Sequence, residues 1–498
     1  MRLVRMWCLS AALVACGAER PPARLPPVPL ASASASATPP PDPLGSRPEI
    51  PPPPTFLPPS PAAFTMANGL TVWLLERHEA PIVSCDMTVP SGASSDARGK
   101  GGLAYAAANM LDEGAGKLGA IELARALDDL GAHLRTDANA DASFVSLTVL
   151  KRRLDRAFAL FGDVVARPRF EPAEFRRVKE LWANELLERE KDPNATARVV
   201  YRVTLFGPDH PYGHPWDGTP QSAKAITLDD VKRFYNAAWR PDRAALVCAG
   251  DVTKQELTSL IETTFGSWKA PAGQKTEPLV PPAPKGPWPR LVLVDRSEAP
   301  QAVIAVLKAG VSASDPEEPA LSRVNDAIGG SFSSRLNQDL REKRGYTYGA
   351  RSLFSRSRGP GLVVSVANVV TDKTGDALGA MLEDLKQFAS GGMTEDELSR
   401  TRSQARGELV GAYESVEAMA GRLAADQSLA LPPDWEAKAS DKRDRAQKPE
   451  LDALARQFYD PSDAILVVVG PRQRVQPMLE KLGLPAPEIR DAVGALVK

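Results

Sequence analysis

In the stretch GGLAYAAANM, Gly101 to Met110, three residues fall at i, i+3 and i+4: Tyr105, Ala108 and Asn109. On a helix these positions share one face. Two imidazoles and a carboxylate at this spacing would hold a zinc ion and activate its water. The positions offer instead a phenol, a methyl group and an amide, which are neutral and make poor metal ligands. Glu185 lies 76 residues beyond Asn109 in a Glu/Lys/Arg-rich segment, where by itself it reads as a solvated charge on a helix. The chain has four histidines, His78, His133, His210 and His214. The last two sit in DHPYGHPWDG, whose prolines and glycines predict a structural loop rather than a ligand pair on a helix. Hydrolysis by this chain alone is therefore not expected.

The elements that position these residues come in two copies. Val72 to Pro81 matches Leu291 to Pro300, and the pairs Arg77/Arg296, Glu79/Glu298, Pro81/Pro300 and Asp96/Asp315 share one offset of 219 residues. Further along, Phe234-Tyr235 precedes the apolar run AALVCAGD as Phe458-Tyr459 precedes AILVVVGP. Two homologous halves are expected, 62–270 and 290–498, joined by a Pro-rich linker at 271–289. Each runs strand, strand, helix, strand, helices, then a late strand and helix. Helices are predicted at Ala120 to Leu130 and Pro172 to Lys191, and strands at Ser143 to Leu150 and Leu362 to Ala367. The fold class is α+β, with helices packed on mainly antiparallel sheets.

Composition narrows the function classes. Among 498 residues, 61 Lys and Arg face 62 Asp and Glu, so no basic field for nucleic acid exists. A hydrophobic share of 43% suits a chain with a substantial core. Beyond the leader, no run of about 18 apolar residues predicts a membrane span.

Residues 1–16 carry Arg2 and Arg5 before a short apolar segment, and Leu13-Val14-Ala15-Cys16-Gly17 resembles a bacterial lipobox. A lipoprotein signal peptide is expected, with Cys16 lipidated and the protein anchored, periplasm-facing, in a bacterial cell envelope. Residues 17–61, rich in Pro, Ala and Ser, read as a disordered, extended tether. Cys8 leaves with the leader. Cys85 and Cys248 sit in apolar strand-like runs without C-x-x-C spacing, and are expected as two buried thiols rather than a disulfide.

The frame Gly102-Leu-Ala-Tyr105-Ala-Ala-Ala108-Asn109-Met-Leu111 resembles the G-L-A-H-x-x-E-H-M-L motif of the pitrilysin/insulinase family of zinc metallopeptidases, which includes the mitochondrial processing peptidases. The resemblance spans about residues 62–490. It makes Tyr105 and Asn109 the former histidine positions, Ala108 the former general base, and Glu185 the place of the third zinc ligand. It also implies a fold in which each half is a pair of α/β subdomains and the halves form a clam-shell chamber. The segment GGSFSSRLNQDLREKRGYTYGARS, Gly329 to Ser352, resembles the family's carboxy-terminal signature. There an arginine, and a tyrosine seven residues later, face the catalytic site, positions that map to Arg341 and Tyr348. A guanidinium donates two hydrogen bonds to carbonyls or a carboxylate, and a phenol donates to a developing oxyanion.

This pattern resembles the Arg/Tyr-bearing subunit of bacterial heterodimeric peptidases. The resemblance implies a non-catalytic, substrate-binding subunit without a cofactor of its own. A partner carrying H-x-x-E-H would hold Zn²⁺, and peptide would be the substrate. The alternative is a stand-alone inactive homologue, acting as a peptide-binding or scaffold lipoprotein.

Overall fold

The computed structural model describes residues 56–270 and 279–497. The leader, Cys16 and the tether up to residue 55 lie outside them. In the first half the strands are β1 (Ala62–Thr65), β2 (Thr71–Glu76), β3 (Ile82–Val89), the short β4 (Gly114–Ala115) and β5 (Leu118–Gly119), β6 (His133–Ala138), β7 (Ser143–Leu150) and β8 (Ala245–Gly250). Its helices are α1 (Leu103–Ala108), α2 (Ala120–Leu130), α3 (Leu154–Ala166), α4 (Pro172–Lys191), α5 (Pro193–Phe206), α6 (Pro220–Ala225), α7 (Leu228–Ala238) and α8 (Lys254–Phe265). The second half holds β9 (Leu291–Asp295), β10 (Gln301–Ala309), β11 (Thr347–Ser355), β12 (Leu362–Val370), β13 (Ile465–Gly470) and β14 (Glu488–Arg490). Its helices are α9 (Glu318–Asn325), α10 (Thr374–Gly391), α11 (Glu395–Ala412), α12 (Val416–Ser428), α13 (Trp435–Arg445), α14 (Lys448–Tyr459) and α15 (Arg472–Glu480).

Among the described residues, each half builds one six-stranded sheet, ordered β1-β2-β8-β3-β7-β6 and β11-β12-β10-β13-β9-β14. Read from opposite ends, the two orders superimpose over five strands, so the repeat seen in sequence is a repeat of topology. Antiparallel pairs dominate; β2 with β8, and β9 with both β13 and β14, run parallel. The 219-residue offset has a structural reason at both ends. Arg77 and Arg296 each donate a backbone N–H, at 2.9 Å, to the last glycine of the neighbouring parallel strand, Gly250 or Gly470. Asp96 and Asp315 each accept backbone N–H groups at the entry to the following helix.

Strands β8 and β13 are buried at every position, as expected of strands covered on both faces. The second cover comes from the other half. Helix α5 lays Ala197, Val200, Tyr201 and Leu205 against Val292, Val303, Val467 and Val469 of the second sheet. Helix α12 lays Met419, Ala420, Leu423 and Ala424 against Trp73, Leu75, Val247 and Ala249 of the first. Burying such faces at roughly 25 cal/mol per Å² makes this exchange a large part of what joins the halves. The linker follows α5: Trp288 Nε1 donates to the Leu205 carbonyl oxygen at 2.9 Å. At the other end, Phe56 packs at a tilt against Tyr413 with centroids 5.6 Å apart, and Pro58 and Pro61 are buried.

Two features differ from the sequence reading. Cys85 and Cys248 form a disulfide, not two separate thiols. They are directly opposed on the central antiparallel strands β3 and β8, a juxtaposition fixed by sheet register, which apolar runs 163 residues apart do not reveal. Strand β6 was not foreseen either. Its sequence, HLRTDA, is polar because it is an edge strand with half of its residues facing outward.

Candidate functional site

Helix α1 begins on Asp96. Its Oδ2 accepts from the N–H of Gly102 (2.7 Å) and Leu103 (3.2 Å), and its Oδ1 from Ala104 (2.8 Å). Gly102 enters at φ +88, and a Cβ there would lie 2.7 Å from the Trp182 ring, so glycine is required on both counts. Leu103, Met110 and Leu111 are buried in the first core, as the retained frame implies.

The altered positions form an aromatic cluster. Tyr105 packs against Trp182 at 5.9 Å and edge-on against Trp216 at 5.4 Å. The Asn109 side chain lies beside its hydroxyl and opposes the shift that burial imposes on it. Burial raises the phenol's pKa first, and the nearby carboxylates of Glu185, Asp137 and Asp217 add to it. Trp182 Nε1 donates to the Asp217 carbonyl oxygen at 2.9 Å, while Arg189 pairs with the Asp217 carboxylate and reaches the Gly218 carbonyl oxygen at 2.8 Å. Ala108 is 0% exposed, its methyl group in the core.

Glu185 is exposed, yet within electrostatic reach of Tyr105, the neighbourhood the resemblance gave it. These residues do not fit zinc. The phenol is held protonated, the amide is a neutral and weak ligand, and a methyl group stands where a base would act. Among the described residues, no group of three or more His, Cys, Asp and Glu could hold a metal ion.

The histidines of DHPYGHPWDG serve the fold. His210 stacks on Phe206 at 4.8 Å, accepts from the Tyr212 N–H at 3.0 Å and bonds the Pro281 carbonyl oxygen at 3.1 Å. His214 bonds the Pro215 carbonyl oxygen at 3.1 Å, and burial lowers its pKa. The same loop delivers Trp216 and Asp217 to the cluster, a contribution that sequence reasoning missed.

Arg341 and Tyr348 lie at the edge of the other sheet. Residues Asn337–Lys343 form a wide helical turn of π type, a distortion common at functional sites. The Arg341 guanidinium lies 4.3 Å from the centre of the Phe332 ring, a cation–π contact. Gly345, at φ +65, then turns the chain into edge strand β11.

The ladder between β11 and β12 slips between Thr347 and Ala350, and Tyr348 sits in this bulge, 88% exposed. Such bulges re-aim side chains. This one is held from behind. The Thr347 hydroxyl donates to the Asn368 carbonyl oxygen at 2.6 Å, and Asn337 Oδ1 accepts from the Ala350 N–H at 2.9 Å. At Gly329 a Cβ would lie 2.2 Å from Ser352 N, so only glycine lets this segment pass so close to β11. No hydrogen bond or ion pair links Arg341 to Tyr348 among the described residues; both present donors at one sheet edge. Phe332, Asn337 and Thr347 were not foreseen, although each lies inside the quoted signature.

Comparison with known proteins bears on both regions. The family model described as "Insulinase (Peptidase family M16)" matches residues 71–204, and "Peptidase M16 inactive domain" matches residues 225–405. An uncharacterized zinc protease of Mycobacterium tuberculosis is 27% identical over 367 residues, covering 73% of this chain and 83% of that protein. A Helicobacter pylori protein named "Non-peptidase homolog YmxG" is 25% identical over 328 residues, covering 65% and 74%. The crystal structure of a peptidase M16 inactive domain from Pseudomonas fluorescens superimposes with a TM-score of 0.75. It is 23% identical, and the match covers 82% of this chain and 98% of that one.

Proposed function

Because the chain belongs to the insulinase family of peptidases (family M16) and its metal-motif positions carry Tyr105, Ala108 and Asn109, we propose that it is the non-catalytic, substrate-binding subunit of a heterodimeric zinc endopeptidase. The observation that carries this reading is an asymmetry. The helix that would hold metal is packed shut with aromatic rings, while Arg341, paired only with the adjacent Glu342 at 3.4 Å, and the exposed Tyr348 are set out at an open sheet edge. A partner bearing H-x-x-E-H would hold Zn²⁺ and its water. The two chains would enclose a chamber in which peptide adds to an edge strand. Arg341 would bind peptide carbonyls or a carboxylate, and Tyr348 would donate to the tetrahedral oxyanion; removing one such donor commonly lowers kcat by about 10²–10³.

Export fits this role. A buried disulfide forms in oxidising compartments, in keeping with a periplasm-facing lipoprotein anchored through Cys16. The test is co-purification with a family member that carries H-x-x-E-H, followed by peptide cleavage. Neither chain is expected to cleave alone, and the mixture is; Arg341→Ala and Tyr348→Phe should each slow it. Equal cleavage by both variants refutes the in-trans role. Stable envelope complexes without any peptidase partner would favour the alternative, a scaffold or peptide-binding lipoprotein, which the name of the Helicobacter relative also suits.

A further inference from the structure

A cavity of about 520 Å³ lies between the halves, away from Arg341 and Tyr348. Strands β3 and β7 supply Asp86, Phe144 and Ser146, α5 supplies Arg202, and Trp216 and Arg356 complete the polar and aromatic lining. Its size is that of a small-ligand site. Most of the charges that line it are already engaged. Asp86 accepts from the Ser146 hydroxyl. Asp141 accepts from the Tyr212 hydroxyl and, at 3.0 Å, from the Arg358 N–H. Arg356 holds Glu318 at 3.2 Å and Asp426 at 3.1 Å.

Arg202 is different. Its side chain is half-buried on the cavity wall and, among the described residues, makes no hydrogen bond or ion pair. Burial lowers its pKa, only partly offset by Tyr212 and Asp141. A guanidinium partly withdrawn from water and without a partner in the chain is a ready site for an anion. The remaining lining narrows the anion. Asp86, whose second carboxylate oxygen is not taken by Ser146, is an acceptor on the same walls, so a ligand that brings N–H donors along with one negative charge fits the lining. Phe144 and Trp216 add apolar faces. A phosphate, with more charge and no N–H, is disfavoured beside two aspartates.

We infer that this cavity binds the C-terminal end of a peptide, with its carboxylate on Arg202 and an amide N–H toward Asp86. The choice of peptide as ligand rests on the proposed role as a substrate-binding subunit. Trp216 gives the site a physical link to α1, since the same ring packs on Tyr105.

The experiment is calorimetric titration of the purified chain, without any partner, with an N-acetylated tripeptide ending in a free phenylalanine carboxylate. The same peptide as its C-terminal amide, and inorganic phosphate, are the contrasting probes. The free acid should bind. Amidation, or Arg202→Gln, should weaken binding about tenfold or more, the weight of a charge-assisted hydrogen bond. Phosphate should not compete. Arg202→Met should melt no lower than the parent, because no hydrogen bond or ion pair within the described residues is lost with the charge.

Equal binding of acid and amide, unchanged binding by Arg202→Gln, or effective competition by phosphate overturns the assignment. A marked loss of melting temperature in Arg202→Met also overturns it, by making Arg202 structural. These readouts need no second subunit, so they can fail while co-purification and cleavage succeed, or hold while those fail.

Discussion

The Tyr105 ring stands edge-on to the Trp216 ring, 75° between planes and 5.4 Å between centres, where a histidine and its metal would otherwise be. This contact does for packing what ligation does elsewhere. It ties α1 to the loop after α5. A double-mutant cycle with Tyr105→Ala and Trp216→Ala, read by denaturant unfolding, should give a coupling of about 0.5–1.5 kcal/mol. Additive losses would mean that the rings merely coexist.

Restoring the missing base should fail. Ala108→Glu puts a carboxylate at a position that is 0% exposed and surrounded by apolar side chains. Either the charge or its protonation must be forced, at a cost of at least about 3 kcal/mol. Thermal unfolding checks this; a variant as stable as the parent would show that α1 has room for the base.

The disulfide between Cys85 and Cys248 closes a separation of 163 residues across the first sheet. Its removal by Cys85→Ala with Cys248→Ala should cost about 2–5 kcal/mol. Unfolding of the parent in guanidinium with and without reductant should show the same difference, and thiol titration of the unreduced, denatured chain should find neither cysteine free.

At the β11 edge, display and support separate. Tyr348→Phe removes an exposed hydroxyl and should change stability by no more than about 0.5 kcal/mol. Asn337→Ala leaves the buried Ala350 N–H without its acceptor and should cost about 1–3 kcal/mol. Comparable losses in both would deny that the bulge is held from behind.

Asp86 predicts a pH dependence. Burial, its largest cause, pushes the carboxyl up to about 6 from 3.8; the Ser146 hydroxyl opposes the shift and Glu417 adds to it. Between those values the folded chain holds a proton that the unfolded chain releases. This group's contribution to stability therefore falls as pH rises from about 4 to 6 and is level above. Asp86→Asn keeps an acceptor for Ser146 and removes the titration. Its stability relative to the parent should rise over that window by up to roughly 3 kcal/mol. A constant difference from pH 4 to 7 would place an ordinary carboxyl at this site.

Much of this was legible along the chain. The 219-residue repeat gave two homologous halves, because equivalent strands and helix caps need equivalent residues at Arg77 and Asp96. The frame around Tyr105 gave the helix and its loss of metal chemistry, because ligand type is a property of the residue itself. The R-x6-Y segment gave Arg341 and Tyr348. Strand β6 escaped because an edge strand needs no continuous apolar run. Phe332, Asn337 and Thr347 escaped because support from behind is a matter of which backbone atoms lie near, not of residue type.

What the sequence alone determined is chemical: which groups are present, which are absent, and that the halves are copies. The tertiary structure alone decided which of them meet. Register between β3 and β8 opposed Cys85 to Cys248. The exchange of α5 and α12 enclosed a cavity that neither half makes alone and set Arg202 against it. The return of the loop after α5 closed Trp216 over Tyr105. Each of these joins residues far apart in the chain, and such proximity is set by the packing of whole elements rather than by any local pattern.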